Sequence, residues 1–374
     1  MSSPELVERV RGRLAGSGTA ITSAEVARAV REESGVAGHD DILVATDRMT
    51  QEFVGAGPLE PLLRAPGTTD VLVTAPDQVW CDGDGGLRRT DVRFPDEDAV
   101  RRLAQRLALA CGRRLDDAQP FVDAWLPGRV RLHAVLPPIA PGGTCISLRV
   151  LRQAGHDLAA LRALGTFDDT VHRTLEVIIE ARLAFVITGG TGAGKTTLLN
   201  ALLGQVSPRE RIVCVEDAGE LSPAHPQFVR LIARPPNVEG AGEVTLADLV
   251  RQSLRMRPDR LVVGEVRGAE VCDLLAALNT GHDGGAGTVH ANSPAEVPAR
   301  MEALAALGGL PRSALHSQLA AAFHVVLHMA REQDGVRRLT DVGVFDRDGD
   351  TVRVIHDRTR LKTLLAARGV EAPW

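Results

Sequence analysis

The sequence predicts an α/β protein in two parts, a smaller α+β domain followed by a larger domain built on a parallel sheet covered by helices on both faces. Three observations carry this. At 374 residues the chain is too long for one ordinary core. Between about residues 70 and 150 the apolar pattern is mostly strand-like, with a single long amphipathic helix from Glu97 to Cys111. After residue 183 strands and helices alternate, the signature of βα units and a parallel sheet.

Taken in order, residues 1–54 read as a helical appendage. Ser2-Ser-Pro-Glu5 and Thr22-Ser-Ala-Glu25 are capping boxes, the stretch 15–19 is a Gly-rich spacer, and a third helix spans Asp41–Phe53. Residues 55–150 form the α+β domain. Gly57–Leu63 makes a helical turn, and strands are expected at Asp70–Thr74, Gln78–Cys81, Leu87–Phe94, Phe121–Trp125, Val130–Val135 and Cys145–Val150. The second and third are joined by the hairpin signal Asp82-Gly-Asp-Gly-Gly86. Residues 151–165 are a linker with a short helix, and residues 166–374 are the larger domain. There Thr166-Phe-Asp-Asp169 caps a helix to about Arg182, strands follow at 183–188, 213–215 and 261–263, and helices at 245–256, 269–279, 294–307 and 311–328 precede a small hairpin around Asp346–Asp350.

Composition bounds the function. The net charge of -5 argues against a surface coated with phosphate-neutralising side chains, so no stable nucleic-acid complex is expected. The five cysteines are widely spaced and form no CxxC pair, as in reduced cytoplasmic proteins. No apolar run approaches a membrane-spanning length, and the N-terminus lacks a signal-peptide core.

The chemistry centres on Gly189-Gly190-Thr191-Gly192-Ala193-Gly194-Lys195-Thr196-Thr197, set between an apolar strand and the helical run Leu198–Leu203. Glycines let backbone amides converge on an anion, the helix N-terminus adds partial positive charge, Lys195 reaches β- and γ-phosphates, and the Thr196 hydroxyl can ligate Mg²⁺. Lys195 is one of only two lysines among 43 basic residues, which marks a position that wants a compact ammonium instead of a guanidinium. Neither lysine follows an asparagine, so the Asn-Lys-x-Asp reader of guanine is missing and a Ras-like GTPase is disfavoured.

Three polar clusters follow, each expected at the carboxyl end of a strand. In Glu216-Asp217-Ala-Gly-Glu220, Glu216 ends a strand and is the first candidate for the base that orients water, with Glu220 the second. In Arg260–Arg267, Gly264 stands where many phosphate-loop enzymes have Asp, leaving Glu265 to serve the metal through a bound water. The Gly-flanked stretch Thr280–Asn292 carries His282 and His290 without a zinc-binding companion, and suits a loop that senses the γ-phosphate or a neighbouring subunit.

Arg230-Leu231, Arg234–Gly240, Glu243-Val-Thr245, Leu254–Arg260, Gly264–Arg267, Asn279–Gly284 and Thr288–Ser293 together resemble the type II/IV secretion ATPase family. The chain is most similar to its CpaF-type branch, the motors of tight-adherence (Tad/Flp) pili, from about Gly55 through Val342. The resemblance implies a RecA-like phosphate-loop domain behind a PAS-like α+β domain, and ATP and Mg²⁺ as ligands. It makes Glu216–Glu220 an Asp box, Glu265 the end of a Walker B element and His282–His290 a His box. Arg131 and Arg149, otherwise solvated strand residues, are implied to reach the phosphates when the N-terminal domain closes. Arg230, Arg234 and Arg267 become candidates for bridging or finger roles in a homohexameric ring. Such a ring works in the cytoplasm at the inner face of the membrane, on a platform protein of a pilus or secretion system; a conjugation-associated or DNA-translocating motor is the alternative. The chain departs from the family pattern in Leu126–Arg131, which lacks an Asp-Gly, in the small residues Gly285-Ala-Gly287, and in His324, where an acid is expected.

Overall fold

The structure, a computed structural model, describes residues 4–15, 23–33, 42, 45–46, 49–50, 55–83, 85–126, 128–150, 156–236, 240–332 and 334–374. The chain separates into two compact units, Met1–Arg152 and Gln153–Trp374. The expected caps at Ser2 and Thr22, the spacer beyond Ala15, most of the helix predicted over Asp41–Phe53 and the first part of the linker lie outside the described residues.

In the first unit, helices Pro4–Ala15 and Ser23–Glu33 share a small apolar cluster with Ala45 and Met49. A six-stranded sheet follows, made of β1 (Asp70–Ala75), β2 (Gln78–Asp82), β3 (Arg88–Arg89), β4 (Phe121–Leu126), β5 (Val130–Val135) and β6 (Cys145–Val150). Its spatial order is β3-β2-β1-β6-β5-β4, and every described pairing is antiparallel. Alternate residues point to one face, where Val71, Val73, Val122, Leu132, Ile146 and Leu148 meet Val100, Leu103 and Leu107 of helix Glu97–Ala110. That helix starts at Asp96, whose carboxylate accepts from the Ala99 amide. Each such aliphatic side chain taken from water contributes about 1.5–3 kcal/mol.

The expected strand Leu87–Phe94 is almost entirely lost, since β3 keeps only two residues. The Thr90 amide and hydroxyl both donate to the Val79 carbonyl, the hydroxyl accepts from the Val92 amide in a local bond that turns the chain, and Phe94 packs into the core.

The second unit holds an eight-stranded sheet of β7 (Phe185–Gly189), β8 (Ile212–Glu216), β9 (Phe228–Ile232), β10 (Arg260–Val263), β11 (Ala286–Val289), β12 (Val325–Arg331), β13 (Arg337–Asp348) and β14 (Thr351–Ile355). The order is β14-β13-β12-β7-β11-β10-β8-β9. The six strands from β12 to β9 are parallel, and β13 and β14 add an antiparallel margin. One face packs on helices Asp169–Glu180, Lys195–Gly204 and Arg358–Ala366, the other on Leu246–Ser253, Glu270–Leu278, Val297–Leu307 and Arg312–Ala322. The fold class is therefore as predicted, a mixed α/β chain with a RecA-like order of parallel strands beside a small α+β unit.

Several elements differ from expectation. The helix expected over 311–328 stops at Ala322, and Val325–Arg331 becomes β12, a strand beside β7. The stretch Ala286–Val289, expected as part of a loop, is the buried strand β11. Phe228–Ile232 is a strand where only a motif was seen, and the terminal hairpin is larger than predicted. Helix Asp169–Glu180 is capped by Asp168, while Thr166 is buried and its carbonyl accepts from the Leu339 amide.

Candidate functional site

β7 is buried along its length and ends at Gly189, with φ of 145°. A Cβ there would lie 2.1 Å from the Met329 carbonyl oxygen of β12, so only glycine lets the chain leave the sheet at this point. The loop then turns through Gly192 (φ 72°) to Gly194 (φ 97°), which precedes helix Lys195–Gly204 as a left-handed cap. With no capping side chain from Gly194, the first amides of the helix stay available to an anion. At Gly190 and Gly192 an added Cβ would meet nothing within 4 Å, so there is open room above the loop.

Lys195 is buried and spans this concavity. Its Nζ donates to the carbonyls of Gly189 and Gly190, each at 2.9 Å, and lies 3.4 Å from His290 Nδ1. Burial lowers its pKa below the ordinary lysine value; the Glu265 and Glu220 carboxylates oppose that shift and Arg267 adds to it. Thr196 and Thr197 are half-buried on the first turn of the helix, and the Thr196 hydroxyl makes no hydrogen bond among the described residues.

Parallel strand order brings the acids to the same edge. Glu265, just beyond β10, has Oε1 2.8 Å from His290 Nε2, at the end of β11. That approach is not aligned as a hydrogen bond, so Oε1 is buried without a hydrogen-bond partner. Its other oxygen accepts from Arg267, whose guanidinium also lies 3.5 Å from Asp217. Burial, and next the Lys195 charge, hold the His290 pKa below its usual value. Thr288 on β11 donates to the Gly264 carbonyl at 2.7 Å, tying the two strand ends together.

Glu216 ends β8 as expected, and its carboxylate is committed to the fold. It is 4% exposed, and its Oε1 accepts the backbone amides of Glu220 and Leu221 at 2.9 Å each. Its Cγ occupies the space where a Cβ on Gly264 would fall, at 2.7 Å. Glu216 therefore holds the turn that presents Glu220, and burial raises its pKa above the ordinary carboxylate value. Gly264 replaces the usual Asp because this packing leaves no room for a side chain.

Arg230 supports the same turn: it donates to the Leu221 carbonyl and lies over the Phe228 ring, 5.8 Å from its centroid. Arg234 is exposed and donates from Nε to the Gly242 carbonyl at 2.8 Å, closing the segment that pairs Arg234 with Val244. His282 is a clear correction. It precedes β11, whereas His290 follows it, so about 13 Å of strand separates them and His282 lies at the opposite edge from the glycine loop. Its Nδ1–H donates to the Ala277 carbonyl in the last turn of helix Glu270–Leu278, a C-terminal cap. In the first unit, Arg131 and Arg149 are directly paired residues of β5 and β6 and project from one face. Asp123 binds Arg131, and Asp70 accepts from Arg149 at 2.9 Å.

Arg337 carries no motif that marks it in the sequence. From the start of β13 its Nε donates to the Gly192 carbonyl at 2.9 Å, and its Cδ lies 3.2 Å from where a Gly194 Cβ would stand. His328 on β12 is also new to the site's surroundings, with a buried Nδ1 that has no hydrogen-bond partner. In sequence its signal is the apolar run containing it, which reads as the end of the helix expected over 311–328.

The arrangement fits a nucleoside triphosphate and a divalent cation. It offers free helix amides, a buried ammonium, an uncommitted threonine hydroxyl and a carboxylate oxygen without a hydrogen bond. Among the described residues there is no separate cluster of three or more His, Cys, Asp or Glu that could hold a metal, and no helix long and apolar enough to cross a membrane.

The chain is similar to several known proteins. A family model described as "Type II/IV secretion system protein" matches residues 52–360. A Mycobacterium tuberculosis H37Rv protein named a putative conjugal transfer protein is 65% identical over 324 residues, covering 85% of this chain and 92% of its own. The type IV secretion system protein PtlH of Bordetella pertussis is 30% identical over 337 residues, covering 82% and 98%. Among solved structures, the pilus retraction motor PilT with bound ADP matches at a TM-score of 0.56 and 20% identity, covering 83% of this chain and 85% of that one. The Legionella pneumophila ATPase DotB matches at 0.54 and 20%, covering 83% and 84%.

Proposed function

The chain belongs to the type II/IV secretion system protein family, and from that premise we propose that it binds ATP at Gly189–Thr197 and hydrolyses it to drive a membrane-bound machine. The observation that carries this is the meeting of Lys195, His290 and Glu265 at one edge of the sheet, next to a loop whose Gly190 and Gly192 have nothing within 4 Å of an added Cβ.

In this reading Lys195 exchanges the Gly189 and Gly190 carbonyls for phosphate oxygens, and the loop amides take the rest of the anion. Glu265 orients the attacking water and accepts its proton, with Glu220 as the second candidate. A bound Mg²⁺ would neutralise charge between the β- and γ-phosphates, held by the Thr196 hydroxyl and served by Glu265 through water. His290, kept neutral by its surroundings, touches both Lys195 and Glu265 and registers whether the γ-phosphate is present. Arg131 and Arg149 supply a two-guanidinium clamp from the first unit, a reading supported by their pairing on one sheet face. The exposed Arg234 and Arg267 are the candidates for contacts with an adjacent subunit, whereas Arg230 is committed to the 216–221 turn.

The motif pattern further supports a homohexamer acting at the cytoplasmic face of the inner membrane, on the platform protein of a Tad/Flp-type pilus or a type II/IV secretion system. Phosphate release by purified protein tests the enzyme. Lys195→Ala should lose turnover by at least about a thousandfold, and Arg131→Ala and Arg149→Ala should each lower it by about tenfold or more; wild-type rates in Lys195→Ala end the proposal. Electron microscopy with a non-hydrolysable ATP analogue tests the ring, and a saturated monomer would remove it. A DNA-translocating motor is the second reading, favoured by the name of the mycobacterial relative. Salt-sensitive binding of single-stranded DNA that stimulates hydrolysis would support it.

A further inference from the structure

The glycine loop has two flanks. On the β11–β10 side lie His290 and Glu265, and on the other lies β12, followed by the hairpin to β13. The loop is built against this second flank: Gly189 abuts the Met329 carbonyl, and Gly194 abuts the Met329 Cε and the Arg337 side chain. Arg337 stands opposite Arg331 at the turn end of the β12–β13 ladder. It spends only Nε on the protein, at the Gly192 carbonyl, and its terminal nitrogens have no hydrogen-bond partner among the described residues. An exposed guanidinium anchored by one nitrogen to an anion-binding loop, with its fork uncommitted, is shaped to grip an oxyanion or a sugar hydroxyl lying on that loop.

Which part of the ligand it meets follows from the loop's polarity. A triphosphate whose terminal phosphate lies against Lys195 and Glu265 must run away from them along the loop, past Gly192 and toward the β12–β13 flank. We propose that Arg337 contacts the α-phosphate and sugar end of the bound nucleotide, opposite the hydrolytic residues, and so holds ADP as firmly as ATP. This rests on the nucleotide-binding reading above and adds to it a residue that serves retention instead of hydrolysis. A motor that keeps ADP through its stroke needs such a contact, because Lys195 and Glu265 lose part of their ligand when the γ-phosphate leaves.

Isothermal titration of the full chain with Mg²⁺ and three probes tests this: a non-hydrolysable ATP analogue, ADP and inorganic pyrophosphate. Arg337→Gln should weaken the ATP analogue and ADP by the same factor, about tenfold to a hundredfold, and leave pyrophosphate unchanged. Arg337→Lys should recover part of the loss. Equal loss for pyrophosphate would show that Arg337 only shapes the loop, and loss confined to the ATP analogue would put it at the γ-phosphate. No loss for any probe would show that it makes no contact, and each of these three outcomes overturns the proposal. Wild-type protein that binds none of the probes overturns the nucleotide reading itself, and this inference with it.

Discussion

The two edges of the second unit's sheet both bury charge, and they use it differently. At the carboxyl edge Lys195 bonds to two loop carbonyls and the His290 ring, a Glu265 oxygen lacks a hydrogen bond, and a Cβ on Gly190 or Gly192 would meet nothing within 4 Å. At the amino edge Arg260 is 1% exposed, its Nε donates to Glu210 at 2.9 Å and its Nη2 to the Ile179 carbonyl at 2.8 Å. Arg182 adds a second cation 3.6 Å from Glu210. The Nη1 of Arg260 is unbonded too, but it faces Gly284, where even a Cβ would approach to 2.8 Å. The edges differ in what holds the cation: Arg260 is paired with a carboxylate that would be left as a buried charge without it, whereas Lys195 is held by neutral carbonyls and an imidazole nitrogen that a ligand can replace.

That contrast can be broken by substitution. Glu265→Gln is expected to have the largest effect, lowering turnover about a thousandfold while leaving thermal stability near wild type; a stability loss of the same size would make Glu265 structural like Arg260. Arg260→Met should do the reverse. It leaves Glu210 with only Arg182, and chemical denaturation should show a loss of about 3 kcal/mol, with nucleotide affinity in the folded fraction intact.

Glu216→Gln sharpens the carboxyl edge itself. Glutamine keeps an oxygen for the Glu220 and Leu221 amides, so turnover should stay within about threefold of wild type, since no proton-transfer role is lost. A loss on the scale of Glu265→Gln would return Glu216 to the role of base. Because burial raises the Glu216 pKa, the folded state holds its proton to higher pH than the unfolded chain does. Wild-type stability therefore falls as pH rises from the ordinary glutamate value through the raised one, and the glutamine variant should lack this component in denaturation at a series of pH values. The smallest effect is expected for His282→Ala, a loss of about 0.5–1 kcal/mol from the helix cap with phosphate release unchanged. Lost hydrolysis there would contradict its place at the far edge.

The glycine loop, the cap in Val244–Asp248 and the apolar strands at 183–188, 213–215 and 261–263 could be read directly, because each depends on backbone chemistry within a few residues. The misreadings share a cause. β11 hides in Gly285-Ala-Gly-Thr288, where a Gly285 Cβ would lie 2.8 Å from the Leu261 carbonyl and a Gly287 Cβ 3.3 Å from the Val263 carbonyl. Those glycines admit a neighbouring strand and helix, yet in sequence they look like a loop. β12 continues an alanine-rich helix without a polar break, and only its pairing with β7 makes Val325–Arg331 extended.

The sequence alone therefore determined that an anion cradle with one lysine stands between a strand and a helix, in a two-part α/β chain. That information is local: glycine conformations, a helix start and an ammonium within nine consecutive residues. Tertiary structure alone decided that Glu265 and His290 meet Lys195, that Glu216 is spent on a turn, that His282 sits at the far edge and that Arg337 reaches Gly192. Each of those facts depends on the order and direction in which distant strands pair, and parallel pairing through long crossovers fixes neighbours that no short stretch of sequence contains.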